Sequence, residues 1–213
     1  MRKCVIVAGA QIEDKSYIKS LLSKDDFYIF CDRGLRHLDM IKEVTGREPD
    51  LCVGDFDSHE IPTSGEVIKL PRQKDDTDTF YAVKEAVKRG FDEFLLIGVI
   101  GGRFDHTMGN ISAMIYLFEQ GKKALCADDH SDMCIVGKDP VYVEDSYKFF
   151  SLLNVSGTAK GIIIKDAKYP LDGGEIKPDY QYGVSNEVIP GKRAEICVGE
   201  GCALLVKVRS DAN

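Results

Sequence analysis

No stretch of the chain approaches the roughly 20 consecutive apolar residues that a membrane-spanning helix needs. Its seven cysteines include no Cys-x-x-Cys pair, which removes the usual spacing for a structural zinc or a redox motif. The odd cysteine number fits reduced thiols in a cytoplasm, and Cys4, Cys31, Cys52 and Cys197 sit in apolar runs as small hydrophobes. A Gly-x-x-x-x-Gly-Lys-Ser/Thr loop is missing, so any phosphate site is not a P-loop. Positive charge is also short: 28 Lys and Arg stand against 35 Asp and Glu, a net charge of -7. Nucleic-acid backbones are bound by basic surface, so this balance argues against such a partner. Internal repeats and low-complexity segments are not evident.

The first residues carry a basic flank, Arg2-Lys3, but the apolar run Cys4–Ala8 is followed at once by Gln11, Glu13, Asp14 and Lys15. That reads as a first strand and not as a secretory signal, and a cytoplasmic location is expected. With 213 residues, 44% hydrophobic, the chain can bury a proper core.

Two textures follow. Up to about residue 130, short apolar runs alternate with helical patterns. Strands are expected at Lys3–Ala8, Phe27–Cys31, Leu51–Val53 and Phe94–Ile100. Helices are expected at Ser16–Ser23, Leu35–Thr45, Thr77–Arg89 and Thr107–Gln120. This alternation implies a mostly parallel sheet flanked by helices. Beyond the acidic stretch Ala127–Asp132, strand-like runs at Tyr147–Leu153, Gly161–Lys165, Ala194–Val198 and Ala203–Val208 are separated by turn residues. That pattern implies a small all-β sandwich or barrel. The expected division is an α/β domain at 1–130 and a β-sandwich domain at 131–213.

Three segments carry chemistry. Gly54-Asp55-Phe56-Asp57-Ser58 closes a buried strand, and in extended geometry Asp55 and Asp57 would point to one side with Phe56 on the other. Lys74-Asp75-Asp76-Thr77-Asp78 opens a helix. Asp76 or Thr77 can cap it and Asp78 suits its positive end, but one cap does not need three aspartates. So many carboxylates repel one another unless a cation is present, and hard oxygens suit Mg²⁺. The third segment, Gly98–His106, lies between a strand and a helix. Gly101 and Gly102 allow backbone N–H groups close to a phosphate, Arg103 can fork onto phosphate oxygens, and Asp105 can reach a metal or a ribose. His106 reads as a helix-start hydrogen bonder, and His37, His59 and His130 as surface residues. Together the three segments suggest phosphoryl chemistry. In the β half, Ser185-Asn186-Glu187 interrupts the strand pattern.

Read in order, Gly54–Ser58, Asp75-Asp76-Thr77-Asp78, Gly101-Gly102-Arg103-Phe104-Asp105-His106 and Ser185-Asn186-Glu187 resemble the thiamine pyrophosphokinase family. Cys31-Asp32-Arg33-Gly34 takes the place of that family's early Asp-Gly segment. Arg33 stands where many relatives carry a second glycine, and Val99-Ile100 is bulkier than usual.

The resemblance implies an α/β nucleotide-binding domain followed by a β-sandwich. It implies a homodimer that holds thiamine between the nucleotide domain of one subunit and the β domain of the other. Asp55, Asp57, Asp75 and Asp78 would hold Mg²⁺, with Asp55, Asp57 and Asp78 catalytic. Asp32, Gly34, Gly101, Gly102, Arg103, Asp105 and His106 would bind ATP, and Ser185 and Asn186 would hold thiamine. The expected reaction is transfer of pyrophosphate from ATP to the thiamine hydroxyl. The alternative is a Mg²⁺-dependent hydrolase or transferase acting on another nucleotide, and a sensor that binds without chemistry is a further rival. No nucleic acid and no membrane is expected as a partner.

Overall fold

The structure is a computed structural model that describes residues 2–56, 63–73 and 75–209. The chain forms two compact units, Met1–Asp129 and His130–Asn213.

The first unit is built on parallel strands: β1 (Lys3–Val7), β2 (Phe27–Cys31), β3 (Leu51–Gly54), β4 (Glu66–Lys69), β5 (Glu93–Ile97) and β6 (Lys123–Ala127). Their order is β4-β3-β2-β1-β5-β6, with every pairing parallel. The central strands are apolar throughout because both sheet faces are covered. Val5, Val7, Tyr28, Phe30, Leu95 and Ile97 pack with Ile18 of α1 (Lys15–Ser20) and with Met40 and Ile41 of α2 (Leu38–Thr45). On the other face, α3 (Asp78–Lys88) buries Thr79, Ala82, Val83 and Ala86, the spacing of one helical stripe. Beside it, α4 (Phe104–Glu119) buries Asn110, Ala113, Met114 and Leu117, and the Phe80 and Tyr116 rings meet at 5.4 Å.

The chain runs outward from β1 through β2, β3 and β4, then returns to the opposite side of β1 with β5 and β6. The order therefore reverses between β1 and β5, and in such sheets the ligand crevice lies at the carboxyl ends of the strands flanking that reversal.

The second unit is antiparallel. One sheet is β7 (Ser131–Val136), β13 (Ala203–Val208) and β9 (Phe149–Leu153), with β13 in the middle. The other has the order β11-β10-β12-β8, formed by β8 (Val141–Glu144), β10 (Ala159–Lys165), β11 (Leu171–Glu175) and β12 (Arg193–Gly201). Inward residues of both sheets, among them Val136, Leu152, Leu205, Ile162, Ile196 and Val198, form one buried cluster. This is a sandwich core, and among the described residues of this unit no helix forms.

Several local expectations change. The acidic stretch at Ala127–Asp132 is not a bare connection: Ala127 ends β6 and Ser131-Asp132 begin β7. Asp132 is buried in β7 because the Tyr147 hydroxyl and the Arg209 guanidinium both engage its carboxylate. The strand expected to run to Ile100 stops at Ile97, since Gly98 turns the backbone to φ 63°. The helix expected from Thr107 already begins at Phe104. His37 is buried, not on the surface, and its Nε2 donates to the Ala10 carbonyl at 2.8 Å.

Candidate active site

The expected site residues of the first unit gather at the carboxyl ends of β1, β2, β3 and β5. Each strand delivers its segment there because parallel strands share one direction. Gly34 follows β2 so closely that a Cβ would stand 2.1 Å from the Val7 carbonyl oxygen. Gly98 does the same beside β1: its φ is 63°, and a Cβ would meet the Ala8 carbonyl oxygen at 2.3 Å. Gly9, which sequence reasoning passed over, lets the end of β1 pack against the turn after β2: a Cβ on Gly9 would lie 2.4 Å from the Arg33 Cβ. The signal was present in Ala8-Gly9-Ala10, three small residues directly after a strand.

Asp32 is buried at the end of β2, 7% exposed. A Cβ on Gly54 would fall 2.8 Å from the Asp32 Cβ, so the ends of β2 and β3 are in contact and Asp55 emerges beside Asp32. Phe56 has φ 55°, in the left-handed region. The segment therefore leaves extended geometry at that residue. Asp57 and His59 lie outside the described residues.

Asp78 is the first residue of α3, where Thr77 caps the helix and accepts the Phe80 N–H at 3.1 Å. A hydrogen bond joins the Thr79 hydroxyl to the Cys31 thiol, fastening this helix start to the end of β2. Burial pushes the Cys31 thiol well up, and the neighbouring Asp78 carboxylate adds to it, with Asp32 a smaller contributor. Asp78 and Asp32 thus act on the same buried point. Asp75 is exposed, and Asp76 pairs with Lys84.

Gly101 and Gly102 take φ 107° and 68° between β5 and α4. The helix itself pins this turn. Thr107 Oγ1 accepts the Gly101 N–H at 3.2 Å, and the buried Asn110 Nδ2 donates to the Val99 carbonyl at 2.6 Å. Arg103 is 70% exposed and forms an ion pair with Asp105, which holds that carboxyl down at about 2. An exposed pair of this kind contributes little stability, so the guanidinium can exchange its carboxylate for an anionic ligand. The Asp105 carboxylate also accepts the His106 N–H at 3.0 Å, so it is the His106 backbone that hydrogen-bonds at the helix start.

Among the described residues, no three His, Cys, Asp or Glu side chains form a group ready to hold a metal ion. The donor chemistry still fits one. Of the expected ligands, Asp55 after β3 and Asp78 at the start of α3 offer the hard carboxylate oxygens that Mg²⁺ takes, while Asp75 is exposed.

The second unit has its own cavity, of about 390 Å³, lined by Ile164, Tyr169, Leu171, Tyr182, Gly183, Val184, Ser185 and Asn186. Its walls mix aliphatic and aromatic faces with the hydroxyl and amide groups of Tyr169, Tyr182, Ser185 and Asn186. Ser185 sits at φ 58°, a conformation that serine adopts at a cost. Its N–H donates to Ser151 Oγ at 3.0 Å. Asn186 is 5% exposed, and its amide is spent mainly on backbone groups.

Fold and site together define a doubly wound α/β unit with carboxylates at the carboxyl ends of its strands, followed in the chain by a β-sandwich unit with a cavity of its own. Residues 18–126 match the family model of the thiamin pyrophosphokinase catalytic domain, and residues 140–203 match that of the vitamin B1 binding domain. The chain belongs to the thiamin pyrophosphokinase family.

Among its relatives, the thiamine pyrophosphokinase of Bacillus subtilis is 26% identical over 97% of this chain and 99% of its own. The crystal structure of thiamine pyrophosphokinase from Bacillus subtilis superposes with a TM-score of 0.83 at 22% identity, covering 99% of this chain and 100% of the other. That of Candida albicans gives 0.74 at 15% identity, covering 97% and 89%. At these identities the superpositions establish the shared fold. No helix among the described residues is long and apolar enough to cross a membrane.

Proposed function

We propose that this chain transfers a pyrophosphoryl group from ATP to the primary hydroxyl of thiamine, releasing AMP and thiamine diphosphate. The observation that supports the reading is that Asp32, Asp55 and the Gly101-Gly102-Arg103 turn all follow carboxyl ends of one parallel sheet, with the Asp78 helix start beside β2, in a chain of this family.

The chemistry asks for three things. The nucleophile is a weak one, a neutral alcohol. The phosphorus under attack is ringed by negative oxygens, and the leaving AMP gathers further charge. Positioning, charge compensation and a proton acceptor are therefore required.

The turn at Gly101-Gly102 and the start of α4 direct backbone dipoles toward phosphate oxygens. Arg103, released from Asp105, forks onto the transferred group or the leaving AMP. Asp105 is then available to the ribose, and the ends of β1 and β2 at Gly9, Asp32 and Gly34 leave the backbone room that a nucleotide needs. Asp55, Asp57, Asp75 and Asp78 would hold Mg²⁺, which when bound neutralises phosphate charge and polarises the reacting phosphorus. The hydroxyl proton passes to an aspartate of this set that is not fully committed to the ion, Asp55 or Asp78.

Thiamine falls to the pocket of the β unit, where Tyr169, Tyr182 and Val184 offer apolar faces and Ser185 a hydroxyl. The acidic character of the chain favours its cationic thiazolium. The resemblance further supports a homodimer in which a β unit serves the α/β unit of the partner, working in the cytoplasm.

The test is to incubate the purified protein with ATP, Mg²⁺ and thiamine and to separate the products. Equal amounts of AMP and thiamine diphosphate, formed only when thiamine is present, are expected. ADP with thiamine monophosphate would overturn the site of attack, and AMP release without thiamine would favour a hydrolase.

A further inference from the structure

His37 is a buried, titratable side chain that the proposed chemistry leaves unused, and the way β2 ends decides where it points. After Cys31 the chain turns at once into a short 3-10 helix, Asp32–His37. Three residues make one turn of such a helix, so residues three apart lie above one another. Gly34 and His37 form one row, both buried, and Arg33 and Arg36 form another, both exposed. Both rows face the end of β1. Gly34 lies against the Val7 carbonyl and Arg33 against Gly9. One turn on, the Arg36 Nη1 donates to the Gly9 carbonyl at 3.1 Å and the His37 Nε2 to the Ala10 carbonyl at 2.8 Å.

These two bonds replace a missing strand. Val7 stands between Phe30 of β2 and Ile97 of β5. Toward β5 the backbone pairing continues past Val7: the Ala8 N–H donates to the Ile97 carbonyl at 2.9 Å, and the Ala10 N–H to the Gly98 carbonyl at 2.8 Å. Toward β2 the strand has already become helical, so Arg36 and His37 supply with side chains what its backbone no longer offers. The Gly9-Ala10 bend is thereby held from both sides.

That bend leaves β1 where the strand order reverses, at the carboxyl ends of β1 and β5, which is where sheets of this kind take a ligand. Gly9 and Ala10 are half-buried and keep an open face, whereas His37 is only 6% exposed. Burial favours the neutral ring, in which a single nitrogen carries hydrogen. Facing a carbonyl, that nitrogen is Nε2.

We propose that His37 is a positioning residue for the nucleotide: it fixes the Gly9-Ala10 bend as a wall of the crevice, and acts on ATP through that bend without touching it. The assignment rests on the reading of this crevice as the ATP site. Reach specifies the side chain. Glutamine places an amide N–H about where Nε2 stands, asparagine falls short, and alanine leaves the Ala10 carbonyl without its donor.

The experiment compares wild type with His37→Ala and His37→Gln in steady-state kinetics with Mg²⁺, varying ATP and thiamine separately. His37→Ala is expected to raise the KM for ATP roughly tenfold, as the loss of about one hydrogen bond behind a binding wall implies. Its KM for thiamine and its kcat at saturating ATP should stay within about twofold. His37→Gln should recover most of the loss in KM. An alanine variant with the wild-type KM for ATP would overturn the proposal, and so would a glutamine variant as impaired as alanine.

Nitrogen NMR of the wild-type protein at neutral pH supplies a measurement that needs no folded variant. The His37 ring should carry its hydrogen on Nε2, and the Nδ1–H tautomer would overturn the strap. A non-hydrolysable ATP analogue with Mg²⁺ should then shift the amide resonances of Gly9 and Ala10, and unshifted resonances would overturn the link to nucleotide. If the analogue shifts them while no thiamine-dependent product forms, the strap stands and the functional reading falls. If the product forms and His37→Ala keeps the wild-type KM for ATP, the strap alone falls.

Discussion

The two units solve ligand binding in opposite ways. In the α/β unit the expected ligand groups are charged and stand on strand ends and helix starts, so a strong parallel sheet aims them and little of their own packing is involved. In the β unit the cavity mixes aromatic and aliphatic faces with hydroxyl and amide groups, and part of its lining is a chain segment, Gly183–Asn186, laid along β9. The first arrangement suits a highly charged polyphosphate, because a rigid frame can hold carboxylates in mutual repulsion until a cation arrives. The second suits a flat heteroaromatic, for which contact area and a few hydrogen bonds matter more than field. Charge substitutions should therefore strike chemistry in the first unit, and conformational substitutions should strike affinity in the second.

The largest test of that division is Asp55→Asn, which removes a charge at nearly constant size. Turnover should fall by roughly 10²–10³, the scale seen when one electrostatic group at a reacting centre is lost, while the melting temperature hardly moves. An Asp55→Asn enzyme with normal kcat at limiting Mg²⁺ would refute its place in the metal site.

A mixing experiment comes next. Asp55→Asn and Ser185→Arg, the latter placing a cation where a cationic substrate must enter, should each be inactive or nearly so. Mixed and allowed to exchange subunits, they should regain activity that neither has alone if one subunit's α/β unit works with the other's β unit. An inactive mixture of exchanged subunits would mean that each chain completes its own site.

Smaller and opposite in sign is Ser185→Gly. Glycine accepts φ 58° without strain, so stability should rise by about 0.5–1 kcal/mol, or a few degrees in melting temperature. The KM for thiamine should rise at the same time because the hydroxyl is gone. A variant that is neither more stable nor weaker for thiamine would show that the strained conformation serves nothing.

The mildest effect belongs to His37. Burial is the main cause that lowers its pKa below 6.5, with Arg36 and Lys15 adding to it, and the Ala10 carbonyl and Asp129 opposing. The unfolded chain then binds a proton more readily than the native one, so stability rises with pH in that window. His37 contributes its full share above pH 6.5 and loses it as the pH falls toward the lower native value. Melting temperatures from pH 7.5 to 5.5 should decline, and the decline should be shallower in His37→Gln, which can still donate to Ala10.

Much of the α/β unit was legible because parallel strands buried on both faces announce themselves as unbroken apolar runs, as in Cys4–Val7 and Phe94–Ile97. Strand β4 was not, since Glu66-Val67-Ile68-Lys69 lies at the sheet edge and keeps its charged ends exposed. The β7 strand was hidden by Asp132, a buried charge whose partners, Tyr147 and Arg209, are distant in sequence. At the site, the acidic segments stood out by composition, because grouped like charges need a reason. What Gly9 and Asn186 face could not be read, because that depends on which residue stands opposite, and the spacing along one chain carries no such information.

Asp129 bears on the order in which the protein is made. Its Oδ1 takes the N–H groups of Glu13 and Asp14, each at 2.9 Å, so the last residue of the first compact unit closes against one of its earliest loops. A ribosome that has released the segment through Asp129 has released the six parallel strands and four α-helices found among the described residues of that unit, which can assemble while the remainder is being synthesised. The sandwich has no such head start. Its three-stranded sheet has β13 as the middle member, so β7 and β9 wait for Ala203–Val208 before either can pair within it. The α/β unit can thus be complete on the nascent chain before the β unit begins to close.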